Sequence, residues 1–229
     1  MCYVRGMTTT KEKNFLVKLL SIEVLTAIVF FVIALSAFMF IADEIVMEKE
    51  DLFDSRVFEY AWQFSSPAHD RIALFITSLG TFLFLVPAYL GIGIYLSLKK
   101  KRRYAITMGV ISVLSLLLGF VLKEAFHRQR PLLKHLDPVI GYSFPSGHTM
   151  AAFTFSGIMI YLLWNARISV YARVLGTIFF FLLAVAIGLS RIYLHVHFAS
   201  DVIGGFCVTV VWISMCFVAI QYAHHRGWL

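Results

Sequence analysis

Six long stretches of this sequence carry no charged residue: Val24 to Ala42, Ile72 to Leu98, Tyr104 to Leu122, Thr149 to Trp164, Val174 to Leu189 and Val202 to Ala223. At a rise of about 1.5 Å per helical residue, such runs match a hydrocarbon layer about 30 Å thick. They do not alternate as barrel strands do, and backbone groups in lipid must be paired within their own segment, so each run is expected to be a helix. Composition agrees: 60% of the 229 residues are hydrophobic and 14% are charged, with a mean hydropathy of +0.82. A soluble domain carries about a quarter charged residues. Soluble enzymes, disordered chains and coiled coils are therefore excluded. The expectation is an all-α integral membrane protein of six transmembrane helices, forming one domain over residues 1–229.

Lysine and arginine in short loops set the direction of the spans. Arg5, Lys11, Lys13 and Lys18 precede the first run, Lys99 to Arg103 separate the second from the third, and Arg167 and Arg173 separate the fourth from the fifth. These regions fall on one side of a six-span chain, taken as cytoplasmic, with both termini there. The net charge of +7 is thus a topology signal and not a nucleic-acid footprint. The first run is too long for a cleaved signal core and is read as retained. Between the first two runs, Asp43 to Arg71 holds eight acids against three bases and falls on the opposite, outer side. Within it Phe53, Val57, Tyr60, Ala61 and Phe64 recur at helical spacing, which predicts an amphipathic helix on the outer face. It is either packed on the bundle or a lid or lipid-entry element. The cysteines Cys2, Cys207 and Cys216 show neither a disulfide framework nor zinc spacing.

With charge so scarce, three polar clusters stand out: Lys123 to Pro131, Pro145-Ser146-Gly147-His148, and Ser190-Arg191 followed by His197 and Asp201. The topology, drawn from other loops, brings all three to the outer face. Three cations (Lys123, Arg130 and Arg191) with two histidines and one carboxylate suit a phosphate, whose oxygens arginine binds in bidentate fashion. The amides of Ser146, Gly147 and His148 at a helix start would cradle an anion. His197 and Asp201, four apart, share a helical face. Asp201 can hold one imidazole nitrogen and leave the other as nucleophile, while His148 protonates the leaving oxygen. The cations would stabilise charge on the transferring phosphoryl group. There is no carboxylate pair for magnesium and no zinc set, so neither metal nor cofactor is expected. Arg128 and Lys134 are read as solvated loop charges, His127, His135 and His195 as structural or surface residues, and His224 and His225 as part of a solvated tail.

These clusters resemble the motifs of the type 2 phosphatidic acid phosphatase (PAP2) superfamily. Lys123 through Arg130-Pro131 matches Lys, six residues, Arg-Pro. Pro145 to His148 matches Pro-Ser-Gly-His. Ser190-Arg191 with His197 and Asp201 matches Ser-Arg, five residues, His, three residues, Asp. No motif position departs from the pattern. The resemblance implies a nucleophile at His197 forming a phosphohistidine, an orienting aspartate at Asp201, a general acid at His148, and phosphate binding by Lys123, Arg130, Ser146, Gly147 and Arg191, without metal. It implies a lipid phosphate or pyrophosphate substrate of the undecaprenyl pyrophosphate, phosphatidylglycerophosphate or phosphatidic acid class. The expected setting is the plasma membrane, with an extracytoplasmic site and with no nucleic-acid or obligate protein partner. The soluble haloperoxidase branch does not suit this composition. A phosphotransferase using the same phosphohistidine and a non-hydrolytic lipid transporter are the rival readings.

Overall fold

The computed structural model describes residues 22–46, 52–132, 136–137 and 140–226, and every regular element among them is an α-helix. They are α1 (Ile22–Val46), α2 (Leu52–Trp62), α3 (Pro67–Ser78), α4 (Phe82–Leu98), α5 (Arg102–Phe126), α6 (Gly147–Trp164), α7 (Val170–Tyr193) and α8 (Ala199–Arg226). The expected N-terminal cations, Cys2, Lys49 and the acids Glu48, Glu50 and Asp51 lie outside the described residues, as do Lys134, His135 and the side chains of His224 and His225.

Local chemistry sets the boundaries. α3 starts at Ser66-Pro67, where the Ser66 hydroxyl accepts from the His69 amide and proline fills the first turn. Ser146 and Ser169 cap α6 and α7 in the same way. α5 ends where His127 turns left-handed at φ 50°, its amide closing onto the Lys123 carbonyl.

Four of the described helices, α1, α5, α7 and α8, are long and apolar enough to cross a membrane, and α3 with α4 makes a fifth candidate, bent by 41° at the break between them. The protein is thus a membrane-embedded helical bundle. The run Ile72 to Leu98, expected from its length to tilt or to include a short surface helix beside the span, is two helices joined through Leu79-Gly80-Thr81. α6 stands where the fourth span was expected. It falls outside the set of long apolar helices: its 18 residues include His148, Thr149, Thr154 and Ser156.

α6 lies at the heart of the bundle, against α5, α7 and α8. α1 packs on α8, α3 on α7, and α4 on α5. Polar pairs tie these contacts. Ser115 of α5 bonds Thr154 of α6 at 2.8 Å, and Trp212 Nε1 of α8 donates to the Ile111 carbonyl of α5 at 3.1 Å. Apolar side chains such as Leu83, Leu98 and Phe120 face outward, an inversion that lipid permits and water does not.

α2 appears where the periodic stripe predicts a helix, but ends at Trp62, before Phe64. Its inward face is also different. Phe53 and Tyr60 of the stripe are exposed, while Asp54 is buried. Phe58 sets its ring against His195 and Phe198. In a membrane protein an apolar stripe does not mark the protein-facing side, because lipid and bilayer interface accept it equally well.

Candidate active site

The three polar clusters meet at one end of the bundle. α5 delivers Lys123 in its last turn, and its Nζ donates to the carbonyls of Tyr142 and Ser143 at 2.6 and 3.1 Å. The left-handed turn at His127 then sends the chain back across the bundle, carrying Arg128 and Arg130. Arg130 Nη1 donates to the Val196 carbonyl at 2.6 Å and lies 3.3 Å from His197 Nε2, while its Nε holds the Gly141 carbonyl at 2.9 Å.

His197 sits between α7 and the start of α8, almost wholly buried. Its Nδ1 lies 3.2 Å from Asp201 Oδ2 and 3.3 Å from Ser143 Oγ, and Ser143 in turn donates to the same carboxylate oxygen. An ionised carboxylate only accepts, so Nδ1 carries the ring proton and the unprotonated Nε2 accepts from Arg130 Nη1. Burial pushes the His197 pKa down to about 4, against the pull of Asp201. The imidazole is therefore neutral at ordinary pH.

α6 begins at the same place. The Ser146 hydroxyl accepts from Thr149 Oγ1 at 2.9 Å, and the Ser146 amide donates to the Asp201 carbonyl at 3.0 Å. This modifies the expected anion cradle. Ser146 is committed to the fold, and the Gly147 and His148 amides, first in the helix, remain for an anion. Gly147 is next to Lys123: a Cβ there would stand 3.8 Å from Lys123 Cε. His148 Nε2 is buried with no hydrogen-bond partner, and Arg191 Nε is in the same condition. Each such atom costs about 1–3 kcal/mol until something pairs it. The charges of Arg191, Arg130 and Lys123 all reach His148. Burial, and then the Arg191 charge, lower the Arg130 pKa. Crowded cations with unpaired buried nitrogens suit an anion such as phosphate.

Arg191 is also anchored within the protein. Its Nη1 donates to Thr77 Oγ1 at 2.6 Å and to Asp137 Oδ2 at 2.7 Å. Neither partner belongs to a recognisable motif. Ser143 and Asp137 lie in the loop between the first two clusters, and nothing in their spacing marks them. Arg128 corrects the sequence reading. It is not solvated but bridges two buried carboxylates, Asp201 Oδ1 at 2.7 Å and Asp54 Oδ2 at 2.9 Å. His195, expected to be a structural or surface residue, is buried and stacks on Trp62.

Residues 104–225 match the model of the PAP2 superfamily, a span that includes every residue of the three clusters. The chain belongs to the PAP2 superfamily. It is 33% identical to phosphatidylglycerophosphatase B of Bacillus subtilis over 154 residues, covering 67% of this chain and 76% of that one. It is 32% identical to the undecaprenyl-diphosphatase of Sulfolobus acidocaldarius over 130 residues, covering 54% of this chain and 58% of that relative. The crystal structure of a transmembrane PAP2-type phosphatidylglycerolphosphate phosphatase from Bacillus subtilis superposes with a TM-score of 0.75 at 27% identity, covering 82% of this chain and 96% of that one. As a PAP2 member with these relatives, the chain is a membrane-embedded phosphatase.

Proposed function

We propose that this phosphatase hydrolyses lipid phosphates or pyrophosphates without a metal ion, through a phosphohistidine on His197. The observation that carries the reading is the His197 ring, with Nδ1 held by Asp201 and an unprotonated Nε2 that accepts only from Arg130 Nη1, a bond the incoming phosphoryl group would take over. Nε2 attacks the terminal phosphorus, the bond from that phosphorus to the leaving oxygen breaks (the lipid oxygen of a monophosphate, the bridging oxygen of a pyrophosphate), and His148, entering the step as imidazolium, gives that oxygen a proton. Asp201 balances the imidazolium that forms. In the second half His148 takes a proton from water, the water oxygen attacks the phosphohistidine, and orthophosphate leaves with Nε2 restored. Lys123, Arg130, Arg191 and the Gly147 amide hold the phosphoryl oxygens, Arg191 exchanging its Asp137 bond for one to substrate, and Ser146 fixes the helix start that presents the amide.

The substrate class proposed is undecaprenyl pyrophosphate, phosphatidylglycerophosphate or phosphatidic acid. The names of two relatives support the first two, and a site at the end of a lipid-facing bundle suits a head group whose tail stays in the bilayer. We further propose a single domain over residues 1–229 with six spans, α3 and α4 together forming the second and α6 the fourth. Both termini are cytoplasmic, α2 lies on the outer face as an amphipathic element, and the active site opens to the outer face of the plasma membrane. Phosphate release by the purified protein in detergent with EDTA tests the function on the three lipids side by side. Release is expected to persist in EDTA and to vanish in His197→Ala. A folded His197→Ala variant with normal release overturns the nucleophile. Loss in EDTA restored by magnesium overturns the metal-free chemistry. Phosphate passed to a second lipid in place of water selects the phosphotransferase.

A further inference from the structure

We propose that Asp54 of α2 is a positioning residue of the active site, acting through Arg128 on the carboxylate of Asp201. The inference rests on the phosphohistidine reading of His197. Asp201 divides its two oxygens. Oδ2 serves the catalytic side, accepting from His197 Nδ1 at 3.2 Å, the Phe198 amide at 2.9 Å and Ser143 Oγ. Oδ1 serves only Arg128 Nη1 among the hydrogen bonds of the described residues, at 2.7 Å. The plane of the carboxylate, and with it the aim of the imidazole, is therefore fixed from the far side by one guanidinium.

That guanidinium is placed by α2. Asp54 Oδ2 accepts from Arg128 Nη2 at 2.9 Å, and Asp54 Oδ1 accepts from the Ser200 amide at 2.8 Å. Ser200 Oγ donates to Asp54 and accepts from Arg128 Nη1 at 2.7 Å. The Phe198 ring supports the guanidinium from beneath at 4.1 Å, and Phe58 of α2 supports Phe198. Asp54 is 2% exposed and Asp201 0%. A carboxylate buried this deeply on an otherwise peripheral helix, locked onto the residue next to Asp201, is a poor choice for anchoring alone, since apolar contacts dock a helix without the cost of desolvating a charge. The network gives α2 a direct mechanical and electrostatic hold on the nucleophile.

Asp54→Asn tests this in the purified protein, with short-chain phosphatidic acid as substrate. Asparagine keeps the shape but turns an amide against donors. The expected result is a fall in kcat of about 10- to 100-fold, the scale of a misaligned reacting group, with KM within a few-fold of wild type. In an Asp201→Asn background the same change should cost nothing further, because its route runs through Asp201. An unchanged kcat in folded Asp54→Asn, a loss confined to KM, or full additivity with Asp201→Asn overturns the proposal. Should Asp54→Asn not fold, Arg128→Lys, which keeps the charge but cannot span both carboxylates, must show the same kcat loss; a folded and fully active Arg128→Lys overturns it equally. If wild type releases no phosphate, the functional reading fails on its own. The ¹⁵N shifts of His197 then decide: Asp54→Asn must alter the Nδ1 signal, and an unaltered signal overturns the positioning role.

Discussion

The ring nitrogens of His197 do different work, and pH separates them. In the proposed mechanism Nε2 attacks only when unprotonated, and burial holds the His197 pKa at about 4. The unfolded value is about 6.5. Between these values the unfolded chain binds the proton and the folded chain does not, so this group makes stability rise with pH across that window and fall on acidification. Activity, corrected for the substrate's own ionisation, should hold down to about pH 5 and drop with unit slope through about pH 4. An acid limb centred near pH 6.5 would mean that the ring is solvated. Asp201→Asn should fold yet lose about 10⁴-fold in kcat, the scale seen when an orienting aspartate leaves its histidine in the wrong tautomer; single-turnover kinetics reads it directly. At this scale the motif positions were legible because their residue types and spacings declare their chemistry. Arg128 was not. A solvated arginine and a bridging one read alike, and its partner Asp54 lies 74 residues away. Ser143, Thr77 and Asp137 were hidden for the same reason: each gains meaning only from the residue it touches.

Elements show a different balance. Serine caps at Ser66, Ser146 and Ser169 start three helices, upstream of the charge-free runs that begin at Ile72, Thr149 and Val174. For the break between α3 and α4, the run's length left room for a short second helix, but the position of the bend at Leu79-Gly80-Thr81 was not read from the chain. Its cause is tertiary. A Cβ on Gly80 would stand 2.8 Å from Ile187 Cγ2 and 3.3 Å from His148 Cδ2, so the turn between the half-helices presses on the buried wall of the active site. Gly80→Ala is expected to cost about 1–3 kcal/mol in overpacking and to push the His148 ring from its place. Thermal unfolding in detergent should show the destabilisation, and kcat should fall more than KM rises. A variant as stable and active as wild type would show that Ile187 and His148 yield freely. The apolar stripe of α2 did not show its buried side, where Asp54 sits beside the Phe58 and Trp62 rings that pack on Phe198 and His195.

For the whole molecule, hydropathy alone foretold a helical membrane bundle, and the residues that break the apolar pattern foretold where its chemistry gathers. The number of crossings was less legible, since α6 carries polar residues inward and α3 with α4 makes a candidate span bent by 41°. The proposed orientation is open to a direct check. In a cysteine-free variant, Ile140→Cys should react with a membrane-impermeant maleimide on intact cells, and Lys100→Cys only after permeabilisation; the reverse pattern would place the active site on the cytoplasmic side. Both positions are exposed. The order of the helices has a consequence in time. His148 opens α6, whereas His197 comes just before α8 and Asp201 within it, and α8 also packs on α1. Synthesis runs from α1 to α8, so the first helix waits in the bilayer for the partner it packs on. A ribosome that stalls before α8 leaves a chain in which His197 has been made but the Asp201 carboxylate that would hold its ring has not.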